Sequence, residues 1–111
     1  MASMVSAIAQ RFRSRFRWGS PKEGRWESFV DEGPTGSRSY ALYTPHGIRP
    51  GKAVPLVVVL HGCTQSARDA ALGTQINAYA DRAGFVVLYP EQSKTDNVLR
   101  CWNWFDRRHQ L

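Results

Sequence analysis

Long apolar runs and cysteine are both scarce in this sequence, and each shortage excludes a class of protein. No run approaches the roughly 20 apolar residues of a membrane-spanning helix, so a transmembrane segment is not predicted. The N-terminus has no basic cluster before its short apolar stretch, which argues against a cleaved secretory signal. Two cysteines, Cys63 and Cys101, are too few for a disulfide framework, although they could form one bridge with each other.

Acidic residues are almost missing from the front of the chain, where basic residues gather. Residues 1–25 hold six basic residues against Glu23 alone, whereas residues 26–111 hold nine basic and eight acidic ones. Of the net charge of +6, the front segment therefore carries +5 and the remainder of the chain +1. We interpret residues 1–25 as a basic, disordered arm and residues 26–111 as the folded part. Contact of this arm with a membrane surface or a nucleic acid is the alternative interpretation.

Three segments have the composition of strands. Residues 37–44 alternate between two sets of side chains, as a half-buried strand does. Residues 54–60 and 85–89 are unbroken apolar runs, typical of parallel strands buried on both faces. Pro55 is tolerated only near the start of its strand, and Pro90 ends the other run.

A single helix is predicted between the two apolar runs. It begins at Ser66, which forms a capping-box signature with Asp69, and it ends at Gly84 in the left-handed conformation. Its apolar side chains recur at three- and four-residue spacing: Leu72, Ile76, Tyr79, Ala80 and Ala83. Strand, helix and strand together predict a right-handed βαβ unit with parallel strands, so the fold class is α/β.

Polar segments follow both apolar runs, and they are the candidate site. They are residues 61–65 (HGCTQ) and residues 90–92 (PEQ). Ligands of open parallel sheets bind outside the carboxyl ends of the strands. The first segment also opens onto a helix N-terminus, where free N–H groups favour an anion. Neither GxGxxG nor GxxxxGK[ST] follows either strand, so nucleotide binding is not expected.

A metal site is the alternative from a different class of function. His61, Cys63, Cys101 and His109 are all chemically suited to zinc. The His-x-Cys spacing is awkward, however, and the chain has no Cys-x-x-Cys pair. We therefore predict neither a metal nor a cofactor.

Four separated motifs resemble the polyhydroxybutyrate depolymerase-like esterases, which are α/β-hydrolases related to feruloyl and acetylxylan esterases. In chain order the motifs are residues 60–65 (LHGCTQ), 73–77 (GTQIN), 89–92 (YPEQ) and 101–105 (CWNWF). The resemblance implies that residues 26–111 are the N-terminal part of an α/β-hydrolase domain. Such a part consists of an edge strand and the βαβ unit.

The resemblance also implies a serine-type carboxylic ester hydrolase that acts on hydroxyalkanoate-type or polysaccharide-linked esters. The main-chain N–H of Cys63, which follows His61 and Gly62, would then be one donor of the oxyanion hole. The ring of His61 would be structural. Substrate contacts are expected from Gln65, Trp102 and Trp104, with Phe105 extending the aromatic wall.

Two further properties follow from the resemblance alone. A disulfide between Cys63 and Cys101 would tether the CWNWF loop over the site, with two free, packed thiols as the alternative. An extracellular location is typical of the family, whereas the lack of a signal pattern leaves the cytoplasm open. No specific nucleic-acid partner is expected.

The catalytic residues of the family are missing from these 111 residues. No GxSxG nucleophile motif occurs, and His109 stands too early to be the histidine that follows a nucleophile in this fold. Ser66 is better explained as a helix cap. We expect the chain to be the front of an esterase, ending before the nucleophile and inactive alone. A truncated, non-enzymatic product is the alternative.

Overall fold

The computed structural model of the chain describes residues 24–104. The elements within this range are β1 (Arg25–Gly33), β2 (Gly36–Thr44), β3 (Leu56–Val58), α1 (Ala67–Thr74), α2 (Ile76–Ala83) and β4 (Val86–Pro90). The predicted basic arm lies outside the described residues except at its end, where Arg25 already belongs to β1.

The strands form one mixed sheet in the order β1-β2-β4-β3. Strands β3 and β4 are parallel, with Val57 opposite Val87, and the helices connect them. This confirms the predicted parallel pair and the α/β class. Strand β2 pairs antiparallel with both β4 and β1. The two parallel strands therefore end side by side at one edge of the sheet.

Strand β1 is an element that the sequence analysis does not anticipate. It pairs with β2 along its whole length, from Arg25 opposite Thr44 to Gly33 opposite Gly36. Its side chains alternate between more and less buried positions, but Glu27, Asp31 and other polar residues interrupt the apolar pattern. A strand at the edge of the described sheet buries little, so its sequence carries a weak signal.

Strand β3 is shorter and more exposed than predicted. Only Leu56–Val58 is regular, and it begins just after Pro55 as expected from the missing N–H of proline. The outward side chains of Leu56 and Val58 are 41% and 46% exposed. Burial on both faces is therefore wrong for β3, because β3 is an edge of the described sheet. Burial on both faces is correct for β4, whose five residues are all buried.

The predicted single helix is two helices. The capping box of Ser66 and Asp69 and the left-handed Gly84 are both present as predicted. Between them Gln75 takes a left-handed conformation with φ 52°, which ends α1 and begins α2. The hydroxyl of Thr74 donates to the carbonyl of Ala70 at 2.7 Å, a local bond that competes with regular helix geometry.

Alanine, not the predicted leucine and tyrosine, packs the helices against the sheet. Ala67, Ala70 and Ala80 lie in one core cluster with Val87 and Tyr89 of β4. Small side chains allow the helix backbones to lie close to the sheet.

The predicted apolar face of the helix is corrected at two positions. Leu72 is 70% exposed and Tyr79 is 60% exposed. The break at Gln75 places them in two separate helices, so they do not share the predicted continuous apolar face. Neither helix within residues 24–104 is long and apolar enough to span a membrane.

A second cluster lies on the opposite face of the central strands. It consists of Tyr40, Leu42, Val86 and Leu88, with Phe29 and Val54 packed against it. Strands β2 and β4 thus form the buried centre of the fold, and the segment that leaves β4 begins from a rigid position.

We expect Gln75→Gly to stabilise the chain. Glycine adopts the left-handed conformation without the clash that a Cβ brings, and the exposed Gln75 side chain caps neither helix. The free energy of unfolding, measured by urea denaturation, should rise by about 1 kcal/mol. Gln75→Ala is the control and should change stability little. A lower stability of Gln75→Gly would contradict the left-handed assignment.

Candidate functional site

The two segments that follow the parallel strands contact each other directly. The main-chain N–H of Gln92, just beyond β4, donates to Nε2 of His61, just beyond β3, at 3.0 Å. Both residues are almost fully buried, with 3% of His61 and 2% of Gln92 exposed. The structure thus brings these two residues of the candidate segments together at the carboxyl ends of β3 and β4.

The turn after His61 leaves one main-chain N–H without a hydrogen-bond partner among the described residues. The N–H of Gly62 donates to Oε1 of Gln65 at 2.8 Å, and the carbonyl of Gly62 accepts from the N–H of Gln65 at 3.2 Å. The N–H of Thr64 donates to the carbonyl of Leu99 at 2.6 Å. Among the residues that the structure describes, the N–H of Cys63 has no hydrogen-bond partner, and Cys63 is exposed.

Gln65 stabilises the turn through its side chain. Its side-chain oxygen holds the N–H of Gly62, and a Cβ added at Gly62 would lie 3.0 Å from that oxygen. Glycine at this position leaves room for the Gln65 side chain to close the turn. The predicted substrate-binding residue therefore shapes the backbone next to Cys63.

A disulfide joins the turn to the segment beyond residue 98. In the structure Cys63 is bonded to Cys101, and their Cα atoms lie 4.2 Å apart. The bond from Thr64 to Leu99 lies beside it and joins the same two segments. The segment that carries Cys101 therefore follows the position of the turn.

Trp102 and Trp104 differ in their surroundings. The indole N–H of Trp102 donates to the carbonyl of His61 at 2.9 Å, and the ring lies between the His61 ring and the guanidinium of Arg38. Trp102 is half-buried, so much of its surface serves the fold. Trp104 is 74% exposed. Phe105 lies outside the described residues.

The N-terminus of α1 already holds a carboxylate of the chain itself. Oε1 of Glu91 accepts from the N–H of Ala67 at 2.9 Å and lies 3.3 Å from Arg100. Ser66 and Asp69 cap each other's main-chain N–H groups. Glu91 and the capping box thus engage the N–H groups of Ser66, Ala67 and Asp69 at this helix end.

The residues proposed for a metal site are otherwise occupied. The sulfur atoms of Cys63 and Cys101 are bonded to each other, and both ring nitrogens of His61 lie within hydrogen-bond distance of main-chain groups. Within residues 24–104 no group of three His, Cys, Asp or Glu side chains is arranged to hold a metal ion. His109 lies outside this range.

Arg38 is a site residue that the sequence analysis misses. Its guanidinium donates to Oε1 of Gln92 at 2.9 Å and to the carbonyl of Glu91 at 3.2 Å. It also lies 5.3 Å from the centre of the Trp102 ring. The only local signal is a charged residue in a β-forming segment, which usually marks a solvated face.

The fold defines the class of the protein: a parallel strand, a tight turn and a capped helix follow one another as in the α/β-hydrolase fold. Comparison of sequences assigns the family. Residues 38–110 match the family described as Esterase PHB depolymerase, and the chain belongs to it. The predicted family is confirmed.

Curated relatives share this stretch and are much longer. The chain is 42% identical over 64 residues to poly(3-hydroxyalkanoate) depolymerase C of Paucimonas lemoignei, a match covering 58% of this chain and 15% of that protein. It is 38% identical over 69 residues to feruloyl esterase B of Neurospora crassa, covering 62% and 22%. Acetylxylan esterase A of Emericella nidulans is 32% identical over 85 residues, covering 75% and 26%. The chain thus spans about a quarter or less of these relatives.

Solved structures show the same fold. An S-formylglutathione hydrolase from Agrobacterium tumefaciens superposes with a TM-score of 0.56 at 22% identity, covering 68% of this chain and 27% of that one. A feruloyl esterase module from Clostridium thermocellum gives a TM-score of 0.52 at 22% identity, covering 67% and 29%. The described part of the chain is therefore a partial α/β-hydrolase domain.

Removal of the disulfide should lower stability substantially. The Cys63→Ser/Cys101→Ser variant loses a bridge across a sequence separation of 38 residues. A bridge of this kind typically contributes about 2–4 kcal/mol to the free energy of unfolding. Urea denaturation should show this loss, and dithiothreitol should cause a similar loss in the original chain. Equal stability of the two chains without reductant would contradict the contribution of the bridge.

Proposed function

We propose that the chain supplies one oxyanion-hole donor, the main-chain N–H of Cys63, to a serine-type carboxylic ester hydrolase. The observation that carries the proposal is that this N–H, in an exposed residue, has no hydrogen-bond partner in the described part of the chain. The neighbouring N–H groups of Gly62 and Thr64 are both bonded. A donor that is fixed and unsatisfied suits a negative charge that appears only during the reaction.

The chemistry is acyl transfer. A serine hydroxyl attacks the ester carbonyl, and the carbonyl oxygen becomes an oxyanion that accepts from Cys63 and from a second donor next to the nucleophile. Collapse of this intermediate breaks the bond to the alcohol, which leaves with a proton, and the acyl group stays on the serine. Water then hydrolyses this acyl-enzyme to the carboxylic acid and the free serine. One donor of this type contributes about 3 kcal/mol to stabilisation of the transition state. The nucleophile must come from a G-x-S-x-G segment, which these 111 residues do not contain.

The proposed substrates are hydroxyalkanoate-type or related carboxylic esters, including esters linked to polysaccharides. The names of the relatives point to three such activities: a poly(3-hydroxyalkanoate) depolymerase, a feruloyl esterase and an acetylxylan esterase. The exposed ring of Trp104 is the apolar surface available to the acyl or polymer chain. Gln65 and Trp102 act nearby on the shape of the turn.

An oxidising, extracellular location fits the bridge between Cys63 and Cys101. Disulfides persist outside the cytosol, where thiols are not kept reduced. The bridge joins the turn that carries the donor to the loop that carries Trp104. We therefore propose that the site is built for an oxidising compartment.

The 111-residue chain alone is expected to hydrolyse no p-nitrophenyl ester above the buffer rate. Acyl transfer needs a nucleophile and a base, and an oxyanion donor cannot replace either of them. Spectrophotometric release of p-nitrophenol, with a full-length relative as positive control, measures this. Turnover that a serine-directed inhibitor abolishes would contradict the expectation and point first to Ser66.

A chimera tests the donor directly. The 64-residue stretch shared with the depolymerase of Paucimonas lemoignei is replaced in that enzyme by the corresponding residues of this chain. Hydrolysis of p-nitrophenyl butyrate is then compared between Cys63→Pro and Cys63→Ser, each combined with Cys101→Ser. Both variants lack the disulfide, but only proline lacks the N–H.

The proline variant should have a kcat about 100- to 1,000-fold below that of the serine variant. Circular dichroism and thermal melting serve as the control for folding. Equal kcat values in two folded variants would show that the N–H of Cys63 is not an oxyanion donor.

A further inference from the structure

The peptide group between Gly62 and Cys63 is held from its carbonyl side. Nδ1 of His61 lies 2.7 Å from the carbonyl oxygen of Gly62, and the N–H of Gln65 donates to the same oxygen. The peptide is trans, so its carbonyl and the N–H of Cys63 point in opposite directions. Donors that hold the carbonyl therefore fix the direction of the N–H.

The protonation of the His61 ring follows from its partners. A main-chain N–H can only donate, so Nε2 of His61, which receives the N–H of Gln92 at 3.0 Å, carries no proton. A neutral ring then has its proton on Nδ1, the nitrogen that faces the carbonyl of Gly62. Gln92 thereby selects the tautomer that can donate to the peptide.

Gln92 is itself held by charged and polar groups. Its side-chain oxygen accepts from Arg38 at 2.9 Å, and its side-chain nitrogen donates to the carbonyl of Cys101 at 3.0 Å. The guanidinium of Arg38 also lies over the ring of Trp102. The indole N–H of Trp102 donates to the carbonyl of His61. These contacts connect β2 to the turn. Arg38 and Gln92, which share one of the bonds, are 54 residues apart in the sequence.

We infer that Arg38, Gln92 and His61 form a positioning relay that aims the N–H of Cys63. Arg38 holds Gln92, the main-chain N–H of Gln92 locks His61 as the Nδ1–H tautomer, and Nδ1–H holds the carbonyl of the peptide. The purpose of the relay rests on the proposed oxyanion function. Its geometry can be tested without catalysis.

A merely structural His61 would have the same tautomer, because the N–H of Gln92 requires it, but the order of Cys63 would not depend on Arg38. The relay requires that tautomer, and it also requires that loss of Arg38 loosens Cys63, although the hydrogen bonds of Arg38 go to Glu91 and Gln92 and not to Cys63. These two requirements define the experiment.

The first measurement is the tautomer of His61 in the 15N-labelled, 111-residue chain. Long-range 1H–15N correlation spectra at neutral pH should show a protonated Nδ1 and an unprotonated Nε2. A ring with its proton on Nε2 would overturn the inference. His61→Asn keeps a donor near the position of Nδ1, whereas His61→Phe keeps none. The Cys63 amide should stay ordered in the asparagine variant and become mobile in the phenylalanine variant.

The second measurement uses Arg38, whose replacement leaves the turn residues in place. Arg38→Met keeps an apolar stem without donors, and Arg38→Lys restores donors. The order parameter of the Cys63 amide should fall from about 0.85 to below about 0.6 in the methionine variant and recover in the lysine variant. Arg82→Met, at an exposed position in the last turn of α2, is the matched control and should change nothing.

The outcomes separate this inference from the proposed function. An unchanged Cys63 order parameter in a folded Arg38→Met variant overturns the relay, whatever the chimera shows. A confirmed tautomer and a loosened Cys63 amide support the relay, even where the proline chimera keeps its activity. In that case the relay orders the turn for another ligand contact, and the oxyanion proposal alone fails.

Discussion

The hydrogen bond from the N–H of Gln92 to Nε2 of His61 joins the ends of the two parallel strands, and the site is arranged around it. Neither group is exposed to water, so an unmade bond would leave a buried donor and a buried acceptor without partners, at a cost of about 1–3 kcal/mol. The segment after β4 therefore has to stay against the turn after β3. The indole N–H of Trp102 also donates to the carbonyl of His61, which adds a third segment to these contacts.

The position of α1 depends on the same two loops. Glu91, the neighbour of Gln92, accepts from the N–H of Ala67 at the start of the helix. The capping box at Ser66 satisfies further N–H groups of the first turn. A helix whose first turn is bonded on both sides cannot shift without breaking these contacts. Turn, helix and the segment after β4 are thus one rigid unit around Cys63.

Features of the fold with strong local causes could be predicted from the sequence. The buried strand β4 and the capping box at Ser66 depend on neighbouring residues, and both are as predicted. The break at Gln75 could not be predicted from the sequence, because glutamine has no preference for the left-handed conformation that it adopts there. The exposure of Leu56 on β3 could not be predicted from the sequence either, because it depends on which elements pack against that face of the sheet.

The same division applies to the site. Gly62 and Cys63 stand out locally, because a polar turn after an apolar run marks the end of a parallel strand. The direction of the Cys63 N–H depends on Arg38, which lies on another strand and has no distinctive neighbours in the sequence. An aromatic residue such as Trp102 suggests a substrate platform until its N–H is seen to bond the main chain. Local sequence therefore points to the turn that carries the proposed donor, whereas the contacts that hold this turn come from distant residues.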